Sequence, residues 1–205
     1  MLSDIHSNLV ALDAVLAAVG AIDALWHLGD VVGYGPEPDA VVGRLIERGA
    51  VGVRGNHDAA AAGGSEIDWF NPEARAAMEW TRSTISDDTR AWLGALPLRH
   101  ADTDFTLVHG SPRDPVWEYV TTPNQAKAGL SAIQTRHGLH GHTHIPVVFT
   151  EVDGRMRTLA PRAGNTVAPV ERVSSGSPGE ALRPRRDNRR DQGVSRLDAA
   201  ELSCG

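Results

Sequence analysis

Five short segments of this 205-residue chain carry side chains of the kind that hold divalent ions: Asp4-Ile5-His6, Gly29-Asp30, Gly55-Asn56-His57-Asp58, His109-Gly110 and Gly141-His142-Thr143-His144. They bring together the carboxylates of Asp4 and Asp30, the carboxamide of Asn56 and five of the nine histidines. Oxygen and imidazole donors without a thiolate suit hard or borderline divalent ions, not an iron–sulfur cluster or a structural zinc site. A carboxylate can bridge two ions, and two bridged ions make a hydrolytic centre.

Each spacing has a chemical reading. At the end of a strand, residues i and i+2 point to the same face. Asp4 with His6, and His142 with His144, are therefore each placed to grip one ion. Asp30 follows a glycine, which lets the backbone turn and exposes a carboxylate suited to bridging. Asn56 adds a neutral oxygen and His109 a further imidazole. Two ions about 3.5–4 Å apart would acidify a bridging water and clamp phosphate oxygens during in-line attack. His57 adjoins Asn56, so it stands beside the site without being a ligand. It can protonate a leaving oxygen or steady the charge building there. Asp58 is expected to accept a hydrogen bond from His57 and raise its basicity.

The elements that position these residues alternate between strand and helix, the pattern of an α/β layered fold. Leu9, Leu12, Val15, Leu16 and Val19 recur at helical spacing, and Gly20 stops that helix. Ala24–Leu28 reads as a buried strand, Pro38 opens a helix that Gly49 ends, and Val51–Arg54 reads as the next strand. Parallel pairing with crossovers follows. Residues 59–64 read as a small-residue loop. Asn71 and Asp87 read as caps of two helices, so 59–100 forms a helical, cap-like insertion. Phe105–Val108 is a strand, Thr122 and Pro123 open a helix to about Thr135, and Gly138–His140 leads to the last histidine segment. Asp153-Gly154 joins two strands of a hairpin. Residues 172–192 read as an irregular, Arg-rich tail loop, and Val194–Leu197 as a returning strand. No boundary splits the chain, so 1–205 is expected to be a single domain.

Taken together, Asp4-x-His6, Gly29-Asp30, Gly55-Asn56-His57-Asp58, His109-Gly110 and Gly141-His142-x-His144 resemble the calcineurin-like metallophosphoesterase superfamily. Residues 29–36, Gly-Asp-Val-Val-Gly-Tyr-Gly-Pro, resemble its compact bacterial and archaeal branch of phosphodiesterases and diadenosine-tetraphosphatase-like proteins. The resemblance covers roughly residues 2–160. It implies a four-layer α/β/β/α sandwich and two divalent ions, Mn, Fe, Zn or Ni. One ion would take Asp4, His6, Asp30 and His144; the other Asp30, Asn56, His109 and His142. His57 would be the catalytic histidine. The implied function is a phosphoesterase that hydrolyses a phosphate mono- or diester by attack of a hydroxide bridging the two ions. The alternative is a weak or inactive scaffold of the same fold that serves as a protein-interaction module.

Two departures from the family pattern carry expectations. Only three residues precede Asp4, so either the first strand is shortened or the start codon is misassigned, and Asp4 and His6 are expected to be loosely held. The tail, Ser177-Pro178-Gly179 with Pro184-Arg185, looks like a drifted form of a family motif. It makes Arg185 a candidate phosphate contact, with Arg183 or Arg186 as alternatives. Tyr34 is a candidate substrate contact at the pocket rim.

Composition bounds the rest. The net charge of −6 gives no general reason to expect nucleic-acid binding. Six arginines against Asp187 and Asp191 give residues 183–196 a local +4 and leave −10 elsewhere. No apolar run is long enough for a membrane span, no signal peptide precedes Asp4, and the single Cys204 excludes an internal disulfide framework, so a cytoplasmic location is expected. The expected partner is a small phosphate ester or a nucleotide, with a homo-oligomer an open alternative to a monomer. Trp69, Trp80, Trp92 and Trp117 read as core residues, and His27 and His140 as packed histidines.

Overall fold

The computed structural model describes residues 1–161. Within them the chain runs α1 (Leu9–Val19), β1 (Trp26–His27), α2 (Pro38–Glu47), β2 (Val51–Gly52), α3 (Asn56–Ala61), a 3-10 turn (Ser65–Trp69), α4 (Pro72–Thr84) and α5 (Asp87–Ala95). It continues through β3 (Arg99–Asp102), β4 (Phe105–Val108), α6 (Pro123–Ser131), β5 (His137–Leu139), β6 (Val148–Val152) and β7 (Arg155–Leu159). The fold is mixed α/β. Arg185, the arginine cluster and the expected strand Val194–Leu197 lie outside the described residues.

Local chemistry accounts for the helix starts. Asn8 accepts the Ala11 N–H, Asn71 the Ala74 N–H and Thr122 the Gln125 N–H, while Pro38, Pro72 and Pro123 occupy first-turn positions. The cap of α5 is Ser86, not Asp87: the Ser86 hydroxyl accepts the Thr89 N–H, and Asp87 lies inside the first turn. Residues 59–64 are a second correction. The helix α3 begins at Asn56 and runs to Ala61, because alanine continues a turn that Asp58 has started. Strand β3 had no clear signal: Arg-His-Ala-Asp is a poor strand sequence that pairs antiparallel to β4.

The strands form three short sheets among the described residues. In one, β1 pairs parallel to β2. In the second, β4 lies between antiparallel β3 and parallel β5. The third is the β6–β7 hairpin. Ahead of α1, Leu2 bridges His27 in parallel. The bridge is held by Leu2 N–H to Trp26 C=O at 2.8 Å and Leu28 N–H to Leu2 C=O at 2.9 Å.

The core lies beneath these strand ends. Val31, Val32, Val41, Leu45, Met78 and Leu93 are fully buried in one cluster; Leu28, Val53 and Leu107 form a second, with Trp26, Phe105 and Leu139 packed against it. Arg82 donates to the carbonyls of Ala60 and Gly64, and Arg90 donates to that of Ala61 at 2.8 Å. The two guanidinium groups thereby tie the helical segment to the last turn of α3, whose first turn carries Asn56 and His57.

The tryptophans do not behave alike. Trp92 packs on His27 and the core, as expected. Trp69 is 71% exposed and Trp80 43%, which corrects their reading as core residues. His27 is buried with both ring nitrogens lacking a hydrogen-bond partner.

Candidate metal centre

The five segments converge. Leu2 and β1 lead to the loops bearing Asp4, His6 and Asp30, and β2 leads to Asn56 at the start of α3; β4 and β5 end in the loops bearing His109, His142 and His144. Asp4, His6, Asp30, Asn56, His57, Asp58, His109 and His142 are all buried, and His144 is exposed.

The expected reason for the i, i+2 spacing needs correction. Asp4, His6, Asp30, His142 and His144 are not on strands but in left-handed backbone just beyond them, with φ between 50° and 68°. Non-glycine residues adopt this conformation rarely and at a cost of order 1–3 kcal/mol each. Of the eight such residues among those described, only Asp153, in the hairpin turn, lies away from this cluster. Strain is concentrated where the donor atoms meet.

Nor are Asp4 and His6 loosely held. Asp4 N–H donates to Gly29 C=O at 3.1 Å, His6 N–H to Asp30 C=O at 3.0 Å and Ser7 N–H to Val31 C=O at 2.9 Å. The first segment is thus laced to the Gly29-Asp30 loop along its length.

The donor atoms form overlapping groups. One atom each from Asp4, His6 and His144 lies within 4.8 Å of the others, and the same holds for Asp30, His109 and His142 and for His6, Asp30 and His57. His6 Nε2 and His144 Nε2 face each other at 3.2 Å, and His109 Nε2 stands 3.1 Å from His142 Nδ1. Asn56 Oδ1 is 3.0 Å from His109 Nε2. Asp30 Oδ2 lies 3.4 Å from His109 Nε2 and 3.8 Å from His6 Nε2, between the two groups. Imidazole nitrogens that face one another at 3.1–3.2 Å and are backed by carboxylates fit divalent cations.

Neighbouring groups orient these donors, as metal sites require. His109 Nδ1 is 2.7 Å from Leu28 C=O and His6 Nδ1 is 3.2 Å from Val32 C=O, which turns each Nε2 toward the cluster. Asp4 accepts the Ser3 hydroxyl at 2.5 Å and the His142 N–H at 3.2 Å. The Tyr119 ring stacks on His142 with centroids 3.9 Å apart. Gly55 is required by contact: a Cβ there would collide with Asp30 Oδ1.

Electrostatics follow from burial among opposite charges. Burial pushes the Asp30 carboxyl up, but His109, His57 and His6 together outweigh it and hold Asp30 below the ordinary carboxylate range. Burial likewise pushes His109 down, yet Asp30 wins and raises it to about 9. His57 and His142 are lowered to about 4, first by burial; for His142 the next cause is the neighbouring His109.

Asp58 does not pair with His57. Its Oδ1 accepts the Val31 and Val32 N–H groups at 2.8 and 3.2 Å, and its Oδ2 accepts the Gly55 N–H at 3.0 Å. This carboxylate satisfies three backbone donors and joins the Asp30 loop to α3. Burial, then Asp30, raises its pKa to about 7. His57 instead has Nδ1 3.1 Å from Met78 Sδ and its ring stacked on Phe70 at 4.7 Å.

Comparison with known proteins shows the family. The sequence model of the calcineurin-like phosphoesterase superfamily domain matches residues 1–197. The chain belongs to that superfamily. It is 38% identical to a metallophosphoesterase from Sphaerobacter thermophilus, whose crystal structure superposes with a TM-score of 0.71 over 81% of this chain and 69% of that one. A hypothetical protein from Pyrococcus horikoshii shares the fold at 21% identity, with a TM-score of 0.61 over 71% of this chain and 69% of that one. An uncharacterised protein of Methanocaldococcus jannaschii is 34% identical over 161 residues, 74% of this chain. The chain spans 64% of the length of that curated relative. No helix among the described residues is long and apolar enough to cross a membrane.

In this superfamily member, sequence reasoning missed the residues that shape the site without ligating: Phe70, Met78, Trp117 and Tyr119. Their signal was faint. Trp117 and Tyr119 stand two apart in a loop, and Trp69-Phe70 precedes a capped helix, which reads equally well as a core staple.

Proposed function

We propose that this protein is a dinuclear metal-dependent phosphoesterase. The observation that carries the reading is Asp30, buried between the His6 and His109 groups with one carboxylate oxygen 3.8 and 3.4 Å from their Nε2 atoms. Asp4, His6, Asp30 and His144 would hold one ion; Asp30, Asn56, His109 and His142 the other. Mn, Fe, Zn and Ni all suit these donors. When bound, such ions supply Lewis acidity to phosphoryl oxygens and lower the pKa of water toward neutrality. The same reading takes the architecture to be the four-layer α/β/β/α sandwich, supported by the mixed pairing of β3, β4 and β5.

The chain's own side chains then have defined tasks. Asp30 keeps its negative charge because the surrounding imidazoles favour the ionised form. His57, held by Phe70 and Met78, places its ring beside His6 with centroids 4.8 Å apart and assists departure of the leaving oxygen. Tyr34, half exposed and 4.7 Å from the His57 ring, borders the same space and is a substrate contact. The substrate is a phosphate mono- or diester of small size, nucleotides included.

The test is direct. Mn-loaded protein is expected to hydrolyse p-nitrophenyl phosphate or its bis-ester. His57→Ala is expected to lose about 10²–10⁴ in rate while keeping its metal. A metal-loaded wild type inert on monoesters, diesters and dinucleoside polyphosphates would overturn the reading.

A further inference from the structure

Around the mouth of the centre the aromatic rings form a continuous arc. Phe70 stacks on His57 at 4.7 Å, Trp117 lies 5.8 Å from Phe70 and 6.4 Å from His142, and Trp69 lies 5.2 Å from Trp117. The arc joins His57 on one side of the donor cluster to His142 on the other, then reaches outward to Trp69. A tryptophan that is 71% exposed contributes little to folding through burial, and apart from its tilted contact with Trp117 much of its ring surface is open to another flat group.

Both loops that carry the arc are fixed in advance. Arg75 donates to Asp68 C=O at 2.9 Å and pairs with the Asp68 carboxylate at 3.3 Å, which pins the turn ending in Trp69. Asp114 Oδ1 accepts the N–H groups of Val116 and Trp117 at 3.2 and 3.1 Å, which pins the other. Preorganised rings lose little entropy on binding.

We propose that Trp69, Phe70 and Trp117 form a stacking platform for the base of a nucleoside phosphate whose phosphate sits at the metal centre. The proposal rests on the phosphoesterase reading. Base–aromatic stacking is tolerant of base identity, because every base has a π-face, so the platform selects nucleotides as a class. Its outermost ring, Trp69, stands two ring-to-ring steps beyond the donor cluster. A base carried on a ribose stands farther from its phosphate than a ring bonded directly to phosphate does, so the platform assigns the outer ring to the base and phenyl phosphate serves as the short comparison.

The experiment compares AMP, ribose 5-phosphate and phenyl phosphate, each as its non-hydrolysable methylenephosphonate analogue, binding to the Mn-loaded full-length chain by titration calorimetry. AMP is expected to bind about tenfold more tightly than ribose 5-phosphate, the factor one stacked base supplies. Trp69→Ala is expected to erase that advantage and leave ribose 5-phosphate unchanged; Trp69→Phe is expected to keep most of it. Phenyl phosphate is expected to be indifferent to Trp69→Ala. Equal binding of AMP and ribose 5-phosphate, or an AMP advantage untouched by Trp69→Ala, overturns the platform. If such a result comes from protein that still turns over p-nitrophenyl phosphate, the phosphoesterase reading survives. If the protein is inert yet prefers AMP through Trp69, the platform stands and the enzyme reading fails. Binding of none of the three overturns the platform.

Discussion

The Asp30 carboxylate holds the backbone of His57: its Oδ1 accepts the His57 N–H at 3.0 Å, while Oδ2 faces His109 and His6. One side chain thus sets the start of α3 and supplies the charge between the two histidine groups.

Asp30→Asn separates these tasks. An amide oxygen can still accept the His57 N–H, so the variant is expected to fold. It cannot supply the negative charge. Bound Mn is expected to fall from two equivalents to one or fewer, and kcat by about 10²–10³. Elemental analysis beside steady-state kinetics checks this; full metal content with unchanged kcat would count against a bridging role.

Gly55 has no functional group, yet Gly55→Ala is expected to cost activity nearly as much. The added Cβ would strike Asp30 Oδ1 and displace the carboxylate. A misplacement of about 1 Å is worth about 10² in rate. A variant with wild-type kcat would show that the two loops can part without consequence.

Asp58 is expected to act on stability more than on chemistry. It satisfies the N–H groups of Val31, Val32 and Gly55 in a fully buried setting. Asp58→Asn leaves at least one donor unsatisfied, a loss of about 1–3 kcal/mol. The metal-free protein is expected to melt roughly 2–12 °C lower. An unchanged melting temperature with lost activity would restore a direct catalytic part for Asp58.

The buried His27 predicts a pH dependence. Burial lowers its pKa from 6.5 to about 4, so between those values the unfolded chain binds the extra proton and the folded chain does not. Its stabilising contribution is present above pH 6.5 and is lost as pH falls toward 4, by about 3 kcal/mol in full. Urea denaturation of chelator-treated protein at pH 7 and pH 5 is expected to show a smaller decline for His27→Leu than for wild type. Equal declines would mean that the decline has other sources.

The sequence was most legible where chemistry is local. Proline at first turns, the helix-opening residues Asn71 and Thr122, and the apolar spacing of α1 and α2 placed the helices well, because each signal is contained within a few residues. Convergence of Asp4, His6, Asp30, Asn56, His109, His142 and His144 was readable from motif order. The backbone that achieves it was not: left-handed conformations at five of them arise from lacing between distant loops, as in Asp4 N–H to Gly29 C=O, which no local spacing records. Asp58 was misread for the same reason, since its partners include Val31 and Val32, more than 25 residues away. Trp69 was misread because exposure depends on what the 3-10 turn packs against, and a tryptophan beside a phenylalanine looks alike in a core and on a rim.

The most direct test of the account is the metal stoichiometry of the reconstituted full-length chain, measured by elemental analysis after equilibrium dialysis against Mn. The donor set built around Asp30 predicts two equivalents per chain. Fewer than one equivalent would contradict a dinuclear centre at these residues.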